Sequence, residues 1–318
     1  MLMEKNYVSA GQLRATGYSM IALASIVVLA RLALVLWKSR RLQVADGWLL
    51  LAWMCFLAMT VGYLVVTPVV YRVDAYEQGE IGAWPDMLDD ALFMIQIFFA
   101  NTMLLWASLW SVKLSLLFLY RTLLQALPDQ MKWWWMALGF IIITFIGAIV
   151  SNFTSCQSMH AWFTVGECDT HRDAVAEIAS LYYSFAVDVL SDIMIMVLPL
   201  RLVLSLRLPP AQKLGVVTLF TLGIICVITA IVRVVQIGSR ADNDSTPSSS
   251  WLAFWGILES GIAVMVGSLP AFAIVYRQTK SFKRYPSSYP APRYFRQEDV
   301  VLEEISTGNR TMLVEGEW

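Results

Sequence analysis

The chain has 318 residues, of which 58% are hydrophobic and only 15% are charged, and its formal net charge is −1. Ordinary soluble domains carry about 25% charged residues, so this composition excludes a typical soluble protein. The near-neutral charge also excludes a bulk basic surface for nucleic acid.

Seven long apolar runs follow one another along the chain. A membrane-spanning helix needs about 20 mostly apolar residues, and each run is about that long or longer. They predict an all-α bundle of seven transmembrane helices, a membrane domain over residues 18–276, with spans at about 18–37, 47–67, 90–120, 133–151, 178–200, 214–237 and 251–276. The third run is longer than the lipid requires, which indicates tilt or an extension beyond the membrane.

Both ends of the chain differ from these runs. Residues 1–17 are polar and have no hydrophobic core, so they predict a polar segment outside the cytoplasm rather than a cleaved signal peptide. Residues 277–318 are basic, then rich in proline and tyrosine, then acidic. That composition predicts a disordered cytoplasmic tail.

The distribution of Lys and Arg gives the bundle a predicted orientation. Twelve of these cations flank the membrane on the side of the carboxyl terminus and five on the side of the amino terminus. The positive-inside rule therefore predicts an extracytoplasmic amino terminus and a cytoplasmic carboxyl terminus, in the plasma membrane or the endoplasmic reticulum. The sequons at Asn152 and Asn243 then fall on outer loops and predict glycosylation, with Asn243 the more accessible. The sequon at Asn309 falls on the cytoplasmic tail and is expected to stay bare.

Six charged residues interrupt the apolar runs, and each costs at least about 2.5–3.5 kcal/mol inside hydrocarbon. Their positions predict a polar interior with a cytoplasmic layer and an outer layer. The first layer would hold Arg31, Lys113 and Asp192, and the second Arg233, Glu259 and Asp188. Two interpretations stay open: interhelical ties, or a ligand, proton or catalytic role.

Two pairs of side chains in the runs share a helical face. Asp188 and Asp192 are four residues apart on the fifth span, so both project to one side. Trp106 and Trp110 have the same spacing on the third span. Large aromatic pairs of this kind are core residues or the wall of an apolar ligand pocket.

Cys156 and Cys168 share the second outer loop, where an oxidising environment favours a disulfide. His160 and His171 lie in the same segment, and together the four side chains have a spacing that also suits a metal site. The oxidising location favours the disulfide, so no metal is predicted. The last span has no lysine for a retinal Schiff base, and the chain has no phosphate loop, nucleophile elbow or zinc-protease motif. No cofactor is predicted, and the sequence leaves enzymatic activity undecided.

Several short motifs, in order, resemble the fungal rhodopsin-domain integral membrane proteins, which include the Pth-type receptor-like proteins. The resemblance covers about residues 18–277. The matching pieces are Ala30-Arg31, Val44-Ala-Asp46-Gly-Trp48, Lys113-Leu-Ser115 through Tyr120-Arg121, Cys156…Trp162…Cys168, Ser191-Asp192 through Pro199, Leu208-Pro-Pro through Gly215, Ile231-Val-Arg233, Trp255…Glu259 and Leu269-Pro270. One departure lies before the second span, where the family often has paired acids and this chain has Ala45 before Asp46.

The resemblance implies a seven-helix membrane protein and leaves its activity open, since members of the family are receptor-like by shape and others occur in secondary-metabolite gene clusters. The first hypothesis is a receptor-like protein that binds a small or lipophilic ligand, entering from the outer mouth under the Cys156–Cys168 loop. The alternative is a membrane-embedded cyclase or isomerase of secondary metabolism, with Asp188, Asp192 or Glu259 as general acid. A third hypothesis is a transporter or accessory scaffold. The lipid bilayer is the expected partner, and the oligomeric state is left open.

Overall fold

The computed structural model describes residues 8–39, 42–124, 128–164, 168, 170–205, 224, 227–228, 231 and 249–284. Over these residues the chain forms helices joined by turns and bends. The helices are α1 (Ala10–Ser39), α2 (Val44–Glu77), α3 (Met87–Leu124), α4 (Pro128–Phe153), the short α5 (Met159–Trp162), α6 (His171–Ser205) and α7 (Ser249–Arg284). The predicted span at 214–237, with Arg233, lies almost wholly outside the described residues.

Every described helix except α5 is long and apolar enough to cross a membrane, which makes six candidate spans in the described part of the chain. The protein is therefore a polytopic all-α membrane protein. Each of the six overlaps one predicted run and extends beyond it at both ends. Hydropathy detects the apolar part of a helix, whereas the backbone hydrogen bonds continue into its polar ends.

The start of α1 illustrates this difference. Ser9 and Gln12 form a reciprocal cap, in which the Ser9 amide donates to Gln12 Oε1 at 2.9 Å and the Gln12 amide donates to Ser9 Oγ at 3.3 Å. Such a cap satisfies amides that a helix start leaves unpaired. Residues 10–17, expected in the polar amino-terminal segment, therefore belong to α1.

The chain divides into two units between Val275 and Tyr276. The first unit is the helical bundle. In the second, residues 276–284 are the end of α7, so the first eight residues of the predicted tail, 277–284, are helical. The rest of that predicted tail, 285–318, lies outside the described residues.

The bundle exposes apolar side chains and buries charged ones, which is the arrangement that surrounding lipid requires. Large apolar side chains such as Ile26, Val65 and Ile143 are more than half exposed, while Arg31, Lys113 and Glu259 are almost completely buried. Hydrocarbon solvates the first group, and only protein can solvate the second. The charged residues therefore lie where helix meets helix.

Helix α3 is central, since it packs against α2, α4 and α6 and also reaches α7. Ser260 on α7 donates to Ser108 Oγ on α3 at 2.9 Å, and Ser108 donates in turn to the carbonyl of Ala52 on α2 at 3.0 Å. Trp134 on α4 donates its indole N–H to the carbonyl of Leu117 on α3 at 2.7 Å. Small polar residues and indoles of this kind tie membrane helices together.

Candidate functional site

Lys113 on α3 forms the centre of one buried charge cluster. Its ammonium lies 2.7 Å from Oδ1 of Asp188 and 3.1 Å from Oδ1 of Asp192, both on α6. It also donates to the Asp188 carbonyl at 2.8 Å and to Ser191 Oγ at 2.6 Å. The four-residue spacing of the two aspartates brings both carboxylates to one cation, so the cluster ties α3 to α6.

Trp110, one turn before Lys113, borders the same cluster. The Lys113 ammonium lies 5.1 Å from the centre of its indole ring, a distance that suits a cation–π contact. The indole N–H donates to the carbonyl of Ile141 and to Thr144 Oγ1 on α4. Trp110 therefore packs in the core between α3 and α4, and Trp106 is buried on the same helix.

Arg31 on α1 forms a second buried cluster with Asp46, near the start of α2. Its Nε and Nη2 donate to Oδ1 of Asp46 at 3.2 and 2.8 Å, and its Nη1 donates to the carbonyl of Gly267 on α7 at 2.8 Å. The second carboxylate oxygen of Asp46 accepts from the Gln43 amide at 3.1 Å. One guanidinium thus joins α1, α2 and α7.

These contacts correct the expected layers. Asp188 was expected in the outer layer with Arg233 and Glu259, yet it is a direct partner of Lys113. Arg31, which was expected in one layer with Lys113 and Asp192, has Asp46 as its carboxylate partner. The physical reason is helix rotation, because two residues at one depth pair only if their side chains face each other.

Of the other two residues expected in the outer layer, the structure describes only one. Glu259 is buried on α7, whereas Arg233 lies outside the described residues. Sequence reasoning had treated Asp46 as part of a motif at the opening of the second span and had not assigned it a partner. The position of Asp46 in the sequence already indicated a partner, because an aspartate three residues into a membrane helix needs a cation or a cap.

A cavity lies beside the loop between α4 and α6. Cys156 and Cys168 form a disulfide there, as the sequence predicted, and α5 lies between them, capped by Ser158 Oγ accepting from the Ala161 amide at 3.1 Å. The cavity has a volume of about 320 Å³. Its lining residues come from α3, the loop and α6: Ile95, Ser155, Ala161, Trp162, Thr164, Cys168, Asp173 and Glu177.

Two buried polar atoms on residues that line the cavity have no hydrogen-bond partner among the described residues. They are Oδ1 of Asp173, a residue only 2% exposed, and the indole Nε1 of Trp162. Native proteins leave few buried polar groups unpaired. Asp173 and Trp162 therefore bring one acceptor and one donor, neither matched by a described residue, to the edge of the cavity.

Aromatic side chains pack behind this wall. The Trp162 ring lies 5.2 Å from the Phe99 ring, centre to centre, and Phe99 also contacts the rings of Phe153 and Phe163 at 5.4 and 5.6 Å. Edge-to-face aromatic pairs at these distances are attractive beyond their buried area. The cluster connects α5 and the end of α4 to α3, so it holds Trp162 in place at the cavity.

Sequence reasoning missed this site. The sequence patterns gave Asp173 no binding role, and they included Trp162 only as part of a motif. The available signals were the Thr170-x-x-Asp173 pattern, which begins a helix, and the one-turn spacing of Asp173 and Glu177. Neither signal shows that a loop folds over them.

The metal alternative for this loop is weakened by the same geometry. Sγ of Cys156, Sγ of Cys168 and a carboxylate oxygen of Asp173 lie within 4.8 Å of one another. Cysteines bind zinc as thiolates, and here the two sulfurs are bonded to each other. The two histidines of the loop, His160 and His171, are exposed.

The two predicted glycosylation sites differ in what the structure shows. Asn152, near the end of α4, is 8% exposed, so its side chain is not presented to a glycosylating enzyme in the folded protein. Asn243 lies outside the described residues.

The comparison with known families gives one match. The fungal rhodopsin domain matches residues 30–278, which is most of the chain and includes both charge clusters and the cavity. No curated protein and no solved structure matches it. The chain belongs to the fungal rhodopsin-domain family of membrane proteins.

Proposed function

We propose that this protein is a receptor-like membrane protein that binds a small ligand in the cavity beneath the Cys156–Cys168 loop. The observation that supports this most is that Asp173 and Trp162 line the cavity and that each has a buried polar atom without a hydrogen-bond partner among the described residues. Ligand sites in proteins combine an apolar concave surface with a few convergent polar groups.

The size of the cavity limits the ligand. A volume of about 320 Å³ lies at the lower end of the range of about 300–1,000 Å³ that is usual for small-molecule sites. A metabolite of one or two rings fits this space, whereas a folded peptide does not. Because the positive-inside rule puts this loop outside the cytoplasm, the ligand would arrive from the outer side.

The cavity and the Lys113 cluster both lie on α3 and α6, which supports these two helices as the path by which ligand binding affects the rest of the bundle. Ile95 lies on α3 and Asp173 lies on α6, and further along these two helices meet again at Lys113 and Asp188. From Ile95 to Lys113 is 18 residues, or about 27 Å of helix. A ligand that changes the approach of α3 to α6 at the cavity would therefore bias the contact at Lys113.

The enzyme alternative finds less support in the same contacts. It needs a buried carboxyl group that faces a substrate, and two of its three candidates, Asp188 and Asp192, face the ammonium of Lys113. The third candidate, Glu259, is buried on α7. An ion pair shared by two helices fits the interpretation of these charges as interhelical ties. The transporter or scaffold alternative rests on the buried charges alone.

Ligand-induced thermal stabilisation of the purified full chain in detergent tests the proposal. A suitable panel consists of small amphiphilic molecules, including phenethylamine, 2-phenylethanol and phenylacetate. We expect at least one of them to raise the unfolding temperature, because a ligand that binds only the folded state stabilises it. If none of them does, the proposal is wrong.

The variant Ile95→Trp then locates the site. It fills the cavity from α3, so it is expected to remove the stabilisation while the protein still elutes as a single folded species. Leu88→Trp is the matched control, because Leu88 is on the same helix and exposed outside the cavity. Stabilisation that survives Ile95→Trp would mean that the ligand binds elsewhere.

A further inference from the structure

Asp173 helps to begin α6, and this role uses only one of its two carboxylate oxygens. Its backbone amide lies 2.9 Å from the Thr170 carbonyl and donates to Thr170 Oγ1 at 3.3 Å, while that hydroxyl donates to Oδ2 of Asp173 at 2.6 Å. These contacts begin α6. Oδ1 is buried and has no hydrogen bond from any residue that the structure describes, and such an atom is costly unless something binds it.

The charge around this oxygen is negative. Glu177 lies one helical turn further along α6 and lines the same cavity, so two carboxylates share the wall. One cation nearby is Arg172, whose Nη1 lies 4.0 Å from Oδ1 of Asp173 and whose side chain is 68% exposed. Solvent screens an ion pair of this kind, so it neutralises little.

Trp162 adds two further features to the wall. Its indole is a flat aromatic surface, and indoles are the preferred aromatic partners of organic cations. Its Nε1 also has an N–H without an acceptor. Ile95 and Ala161 supply the apolar part of the lining.

We propose, resting on the function proposed above, that the cavity selects a small organic cation: an amine whose ammonium binds Asp173 and Glu177. The Trp162 indole N–H donates to a hydroxyl or carbonyl oxygen of the same molecule where it has one, and its apolar portion contacts Ile95 and Ala161. The ammonium and the oxygen would thus pair with Asp173 Oδ1 and Trp162 Nε1, which no described residue matches. An anionic ligand is disfavoured, because it would meet the two carboxylates of Asp173 and Glu177.

Three ligands of nearly the same shape test the charge preference: phenethylamine, a cation; 2-phenylethanol, which is neutral; and phenylacetate, an anion. Binding to the purified full chain in detergent is measured by calorimetry at neutral pH. We expect phenethylamine to bind about tenfold more tightly than 2-phenylethanol and phenylacetate to bind most weakly. This comparison uses the unaltered chain, so it does not depend on how any variant folds.

The variant Asp173→Asn then tests the residue. Asparagine retains an oxygen that can accept from Thr170, so α6 keeps its start while the charge is lost. We expect the affinity for phenethylamine to fall about tenfold and the affinity for 2-phenylethanol to change little. Asp89→Asn removes a carboxylate that is exposed at the start of α3, and it is the matched control with no expected effect.

The outcomes separate the two proposals. Equal or tighter binding of the neutral or anionic compound, or a phenethylamine affinity that Asp173→Asn leaves unchanged, overturns the cation preference while ligand binding stands. Failure of all three compounds to bind overturns both. Displacement of phenethylamine by micromolar Ca²⁺ or Zn²⁺ would mean that the carboxylates form a metal site, which also overturns the proposal.

Discussion

Lys113 on α3 and Asp188 on α6 form a buried ion pair with 2.7 Å between Nζ and Oδ1, and their side chains are 5% and 7% exposed. Residues 75 positions apart are thus joined where two membrane helices cross. Asp192 shares the cation at 3.1 Å but is 18% exposed. The difference in burial predicts that the two aspartates contribute unequally to stability.

Replacing Lys113 with methionine is expected to lower the free energy of unfolding by about 3–5 kcal/mol, because it leaves buried carboxylates without a cation. The double variant Lys113→Met with Asp188→Asn is expected to recover part of that loss. Asp192→Asn alone is expected to cost less than Asp188→Asn. Thermal unfolding in one detergent measures all four, and a larger loss for Asp192→Asn would contradict the assignment.

Arg31→Lys is expected to destabilise the bundle by about 2–4 kcal/mol, although the charge is kept. The guanidinium binds Asp46 and the Gly267 carbonyl at the same time through a planar fork, which a lysine ammonium cannot reproduce. Arg14→Lys, at an exposed position on the same helix, is the matched control. Equal unfolding temperatures for the two variants would show that the fork has no structural role.

Gly267→Ala is expected to be destabilising because α7 approaches α3 closely there. An added Cβ would lie 2.8 Å from Cγ1 of Val112, which is closer than packed carbon atoms allow. The second substitution Val112→Ala removes that atom and is expected to restore much of the stability. Gly139→Ala on α4 meets nothing within 4 Å, so it serves as the control and is expected to be neutral or stabilising by up to about 1 kcal/mol. No rescue by Val112→Ala would place the strain elsewhere.

Removing the disulfide through Cys156→Ser and Cys168→Ser is expected to cost about 3 kcal/mol, since it frees a loop of about a dozen residues. The loss is expected to be accompanied by weaker ligand binding, because Cys168 lines the cavity. Cys55→Ser, which alters a half-buried free cysteine on α2, is the control for ligand binding. Unchanged unfolding in the double variant, with and without reductant, would mean that the loop is held by other contacts.

Glycosylation mapping tests the predicted orientation. In a eukaryotic host we expect Asn243→Gln to remove a glycan and Asn309→Gln to have no effect on electrophoretic mobility. Asn152→Gln is also expected to have no effect, because Asn152 is buried. A glycan on Asn309 would reverse the orientation and with it the side from which a ligand enters.

The amino-acid sequence by itself determined the class of the protein. Hydrocarbon thickness sets the length of an apolar run, so six of the runs correspond to described helices, and the predicted outer location of the Cys156–Cys168 loop favoured the disulfide. Asp188 and Asp192 were predictably on one face because helical periodicity is local. The family was readable from short motifs for the same reason.

Only the tertiary structure decided which charges meet. Depth along a helix can be counted from the sequence, but the direction in which Arg31 or Asp188 points depends on how each helix is rotated against its neighbours. The Asp46 partner of Arg31 and the α6 partners of Lys113 follow from that rotation. The cavity required still more, because a disulfide-bonded loop brings Trp162 to the same cavity as Asp173, and no local pattern encodes that arrangement.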